Sequence, residues 1–126
     1  MTVISIVEDE PFIIEALRYL FELEGWDVHT LEDGAGAADA LLEKRPSLIV
    51  LDYMLPNKSG VTVAREVRSH PHGENIPILM LTAKGQSKDR HMAHLSGVTH
   101  FMTKPFANAE LVAAVKTLLE TAPKTD

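Results

Sequence analysis

Cysteine is absent from this 126-residue chain. Neither a disulfide framework nor thiolate chemistry is available to it, and nothing in it resists a reducing compartment. Positive charge is scarce: 12 Lys and Arg stand against 18 Asp and Glu, a formal net charge of -6. Binding along a nucleic-acid backbone needs clustered cations, so direct nucleic-acid contact by this domain is not expected. The first residues carry no charged leader or cleavage site, and no window approaches transmembrane length. No membrane association is expected, and the reading is cytoplasmic. With 45% hydrophobic and 24% charged residues, the composition is that of one ordinary globular domain. We expect that domain over residues 1–121, followed by a short polar tail over 122–126. If the chain ends at this tail, its output is expected to pass through a partner.

Strand-like and helix-like segments alternate five times. Val3 to Val7 is a continuous apolar run. Pro11 to Glu24 carries Ile13, Ala16, Leu17 and Leu20 at helical spacing, with Pro at its start and Gly25 after its end. Trp26 to Thr30 reads as a short strand. Asp33-Gly34 turns the chain into an Ala-rich helix that ends near Lys44, with Leu41 and Leu42 inward and Gly36 weakening it. Ser47 to Asp52 is too apolar for a surface strand and belongs in the sheet centre. A loop from Leu55 to Gly60 leads into a helix with Val63, Ala64 and Val67 inward. After His70-Pro71-His72-Gly73 come a strand from Ile76 to Leu81, a sparsely apolar helix from about Ser87 to Ser96 anchored by Met92 and Leu95, and a short strand at Phe101-Met102. The last helix sets Leu111, Val112, Val115, Leu118 and Leu119 on one stripe. The pattern predicts an α/β fold, a five-stranded parallel sheet with helices on both faces.

Four of the apolar runs end on residues able to handle phosphate: Glu8 and Asp9, Asp52, Thr82, and Thr103-Lys104-Pro105. Side chains just past the carboxyl ends of parallel strands converge on one crevice. Three carboxylates so gathered repel one another, and a hard divalent cation with oxygen ligands keeps them ionised. The pocket therefore reads as Mg²⁺ with phosphoryl chemistry. Other readings remain for the single residues. Glu8 and Asp9 also suit the positive end of the helix that starts at Pro11, Thr82 suits a strand, Lys104 suits a solvated surface, and Phe101 suits the core.

Four segments carry a resemblance: Ile6-Val7-Glu8-Asp9-Glu10, Leu51-Asp52-Tyr53-Met54-Leu55-Pro56 with Gly60 eight residues after the aspartate, Leu81-Thr82-Ala83-Lys84, and Phe101-Met102-Thr103-Lys104-Pro105-Phe106. In this order and at these spacings, from about Val3 to Leu119, the chain resembles a receiver domain of bacterial two-component response regulators, chemotaxis regulator included. The resemblance implies a flavodoxin-like doubly wound sheet of order 2-1-3-4-5. It implies Asp52 as phospho-acceptor, and Mg²⁺ held by Asp9, by Glu8 through water, by Asp52 and by the Met54 carbonyl oxygen. Thr82, Ala83 and Lys104 would bind the phosphoryl group, Thr82 and Phe101 would form the switch, and Met54 and Lys84 would tune dephosphorylation. Implied partners are a sensor histidine kinase or phosphotransfer protein, a downstream protein, and a second copy in a phosphorylation-dependent dimer.

A haloacid-dehalogenase-like phosphatase is the rival enzyme reading, since it too uses a strand-end Asp and Mg²⁺. Its signature needs a second Asp where this chain has Met54. A flavin-phosphate binder is disfavoured by the acidic Glu8-Asp9-Glu10 after the first strand. His91 and His94, with His100 nearby, have no further ligand to close a metal shell, and His70 and His72 read as solvent-facing. Gly97-Val98-Thr99-His100-Phe101 departs from the family's usual acidic segment, and the last helix carries Lys116 without Arg. The charged pairs of the symmetric dimer of winged-helix members are thus largely missing. Ala107 stands where the last helix is often capped, so the cap shifts to Asn108 or is lost.

Overall fold

The computed structural model describes residues 1–83 and 96–122. Five strands, β1 (Val3–Val7), β2 (Asp27–Leu31), β3 (Leu48–Asp52), β4 (Ile78–Ala83) and β5 (His100–Lys104), form one parallel sheet of order β2-β1-β3-β4-β5. Four helices, α1 (Pro11–Leu23), α2 (Ala37–Lys44), α3 (Gly60–Arg68) and α4 (Asn108–Thr121), are described with a single 3-10 turn at Pro71–Gly73. The helix expected over 87–96 lies outside the described residues except for Ser96, which is buried.

All five residues of β3 are buried, as a strand covered on both faces requires. Alternate residues of the strands feed two cores. Ile49, Leu51, Met80 and Val7 pack with Val63, Ala64 and Val67 of α3 and Leu41 of α2. Ile4, Ile6, Val50 and Leu81 pack with Leu17 and Phe21 of α1 and Leu111 and Val115 of α4. Each large side chain buried this way is worth about 1.5–3 kcal/mol.

Three local expectations shift. The buried stripe of α1 is Ile14, Leu17 and Phe21, while Ala16 is exposed and Ile13 and Leu20 are half-buried. Phe21 sets this rotation, because its ring is fully buried and meets Trp26 with centroids 5.6 Å apart. Gly36 does not weaken α2 from within; it precedes the helix at φ 69°, the left-handed entry that glycine adopts without strain. β2 starts one residue later than expected and β4 two later, so β4 ends on Ala83, beyond Thr82.

Candidate functional site

Strand register brings the predicted residues together. Val7 pairs with Leu51, so Glu8 and Asp52 follow side by side at the sheet's carboxyl edge. Asp52 pairs with Leu81, and Thr82 and Ala83 pair with Thr103 and Lys104. Glu8 is fully buried and Asp52 is 3% exposed, whereas Asp9 faces solvent. One carboxylate oxygen from each of Glu8, Asp9 and Asp52 lies within 4.8 Å of the others. Hard oxygen donors at this spacing, two of them buried, fit a divalent cation such as Mg²⁺.

Lys104 Nζ lies 3.1 Å from Asp52 Oδ1, 3.0 Å from Glu8 Oε2 and 3.5 Å from Glu10 Oε1. It donates a hydrogen bond to Glu8 Oε1 at 3.3 Å; the closer contact to Oε2 is an ion pair without hydrogen-bond alignment. Burial pushes the Glu8 carboxyl up to about 7, with the Asp52 charge adding to the rise against the pull of Lys104. Burial also raises Asp52, opposed by Lys104 and, to a smaller extent, by Glu8 and the Met54 backbone N–H. Burial would lower Lys104, but its hydrogen bond to Glu8 and the charges of Asp52 and Glu8 outweigh it and raise it. Negative charge therefore exceeds positive around the buried Glu8 and Asp52. Among the described residues, Glu8 Oε2 and the fully buried Thr82 Oγ1 have no hydrogen-bond partner.

Gly60 shows why its distance from Asp52 matters. A Cβ there would stand 2.2 Å from the Asp52 carbonyl oxygen, and its own N–H closes the intervening loop on Tyr53 O at 2.8 Å. The Met54 side chain is exposed. Phe101 is half-buried and packs on the α2 and α3 side of the sheet. The Lys104-Pro105 bond is cis. Lys84, Met92, Leu95, His91 and His94 lie outside the described residues. His70, His72 and His100 are exposed, as expected. The last helix begins after Ala107 without a side-chain cap. Sequence reasoning missed Glu10 as a third carboxylate near Lys104; its place in the acidic triplet was the available signal.

The sequence model of the response regulator receiver domain matches residues 4–116. The chain belongs to this family. It is similar to the phosphate regulon transcriptional regulatory protein PhoB of Rhizobium meliloti, with 41% identity over 119 residues, 94% of this chain and 52% of that protein. The chain spans about half the length of the curated relatives it matches. Among solved structures it resembles the receiver domain of a histidine kinase from Syntrophus aciditrophicus, with TM-score 0.90, 30% identity, and coverage of 100% of this chain and 96% of that one. It also resembles the receiver domain of the sensor histidine kinase PA1611 from Pseudomonas aeruginosa, which has a magnesium ion in its active-site cleft; the TM-score is 0.87 and identity 28%, over 95% of this chain and 98% of that one. The receiver family accounts for the chain without the phosphatase reading, and receiver domains bind Mg²⁺ in this acidic cleft. Among the described residues no helix is long and apolar enough to cross a membrane.

Proposed function

We propose that this receiver accepts a phosphoryl group on Asp52 from a histidine kinase or phosphotransfer protein and passes the change to a downstream protein. One observation carries the proposal: Asp52 ends the central strand, nearly buried, with an ammonium 3.1 Å from one oxygen and two further carboxylates alongside. A carboxylate oxygen attacks the phosphorus of a phosphohistidine in line, the P–N bond breaks, and the imidazole leaves as an acyl phosphate forms. Lys104 stays protonated and neutralises a phosphoryl oxygen, and the Thr82 hydroxyl, without a hydrogen-bond partner among the described residues, donates to another. The Ala83 end of β4 borders the same position. Glu8, Asp9, Asp52 and the Met54 carbonyl oxygen would hold Mg²⁺, which supplies positive charge against the phosphoryl oxygens. The domain's chemistry is its own phosphorylation and slow self-dephosphorylation, and we place it in the cytoplasm, which cell fractionation checks.

Incubation with acetyl phosphate and Mg²⁺ tests the assignment. Label should be lost in Asp52→Asn and on chelation with EDTA; label retained in either case would overturn it.

Output follows from the charge added, roughly two units. Thr82 moves toward the phosphoryl group and frees space for Phe101 to turn inward. The partner surface is then the face of the strand at Phe101, α4 and the helix expected over 87–96, which lies outside the described residues except for Ser96. Met54, two residues beyond Asp52, flanks the path of the hydrolytic water, and its apolar side chain slows it; Lys84, the other residue expected to tune dephosphorylation, lies outside the described residues. A phosphorylation-dependent dimer would need cations other than Lys116, which is already paired with Glu24 at 2.6 Å. Amide hydrogen exchange with and without beryllofluoride should change most between 82 and 106, and changes confined to the Asp52 loop would rule out this route.

A further inference from the structure

The loop that follows Asp52 starts at the reacting residue itself and carries the Met54 backbone N–H, which favours the ionised Asp52 carboxylate, so its conformation bears directly on the reacting group. Gly60 N closes the base of that loop on Tyr53 O. Its far side is tied to the turn after β2, more than twenty residues earlier in the chain. Asn57 Nδ2 donates to Asp33 Oδ2 at 2.6 Å, and Gly34 N donates to Pro56 O at 3.1 Å. Asp33 is itself held, because its other oxygen accepts from Ala35 N at 2.7 Å. Asn57 adopts φ 68°, a left-handed conformation that Asn tolerates better than most residues. Gly34 packs so closely that a Cβ there would stand 2.4 Å from Lys58 O. Lys58 in turn donates to both oxygens of Glu66 on α3, at 3.0 and 2.8 Å.

We propose that Asp33 and Asn57 are positioning residues for phosphorylation: their bond braces the loop that carries Met54 and so aims the Asp52 carboxylate. This rests on Asp52 being the acceptor. The bond lies at the surface, and a hydrogen bond to a charged group is worth about 1.5–3 kcal/mol at most. Its loss should leave the fold intact. Small displacements of a reacting group are costly in rate, up to about a hundredfold per ångström, so a loosened brace should show in kinetics before it shows in stability.

A reciprocal exchange tests this. Asn57→Asp alone sets two carboxylates face to face and breaks the brace. Adding Asp33→Asn restores a donor and an acceptor, with the new Asn oxygen still available to Ala35 N. Initial phosphorylation rates with acetyl phosphate at saturating Mg²⁺, the thermal midpoint and the Met54 amide resonance are followed together. Asn57→Gly, which keeps the left-handed backbone and removes the amide, is the second single variant. Both singles should phosphorylate about three- to tenfold more slowly and shift the Met54 resonance, and the double variant should recover both within about twofold. Singles with native rate and an unmoved Met54 resonance would overturn the proposal. So would a folded double variant as slow as the singles. If Asp52 is not the acceptor, label survives in Asp52→Asn while the Met54 resonance still reports the brace, so the two failures are told apart.

Discussion

The two ends of the sheet treat buried charge in opposite ways. At the amino end, Arg68 of α3 is half-buried, and burial pushes its guanidinium below the usual value. Its donors go to neutral oxygens: Gly97 O at 2.9 Å, Gly73 O at 2.6 Å and Thr99 Oγ1 at 3.3 Å. At the carboxyl end, carboxylates outnumber the single ammonium among the described residues, and two buried oxygens lack hydrogen bonds. A satisfied buried charge holds a fold together, whereas an unsatisfied cluster is costly until something completes it. The difference separates a structural strut from a site that awaits charge.

Removing Arg68 should break the first half of this comparison most heavily. Arg68→Ala leaves the Gly97 and Gly73 carbonyls without their donor and loosens the turn at Gly97, whose φ of 91° places it against the Arg68 side chain. We expect a loss of about 2–3 kcal/mol in urea unfolding. The folded fraction should still phosphorylate at the native rate. A stable variant, or a folded one that phosphorylates slowly, would remove the distinction between the two ends.

Thr82→Val sharpens the other half with a smaller effect of opposite sign. The hydroxyl is fully buried and has no hydrogen-bond partner among the described residues, so replacing it by a methyl of the same shape should leave stability unchanged or raise it by up to about 1 kcal/mol. Phosphorylation should slow roughly tenfold, because a donor to the developing phosphoryl charge is lost. A clear loss of stability would show that Thr82 holds the fold rather than the phosphoryl group.

The sequence shows the carboxyl end more plainly than the amino end, and topology is the reason. Parallel strands that each end on a polar residue must gather those residues at one edge, so Glu8, Asp9, Asp52, Thr82 and Lys104 could be read from apolar runs and their endings. Gly60 needed no coordinates either, since its spacing was part of the resemblance, although the close approach to Asp52 O that explains it did. Arg68 carried no such signal. Its partners sit in a turn and at a strand start, and their distance from it depends on how loops close. The Asp33 to Asn57 bond was hidden for the same reason, with only Asp33-Gly34 announcing a turn. The face of α1 was misjudged because Ile13 and Ile14 both suit a stripe and only the fit of Phe21 decides between them.

The pH dependence of the metal-free domain tests whether the carboxylate cluster is costly before it is completed. Glu8 is raised from an ordinary value near 4.5 to about 7, chiefly by burial. The folded state therefore holds a proton on Glu8 that the unfolded state has released throughout that window. Where the unfolded state binds fewer protons, stability falls as pH rises. The contribution is fully present below about 4.5 and is lost as pH climbs through about 7; the rise of Asp52 acts in the same sense. In EDTA, the stability of the native domain relative to Glu8→Gln should decline between these limits, since glutamine cannot titrate. Mg²⁺ needs the ionised carboxylates, so its binding should strengthen over the same interval and offset the decline. A native-minus-variant difference that is flat with pH, or that rises, would mean that Lys104 already satisfies Glu8, and the contrast between the two ends of the sheet would then be lost.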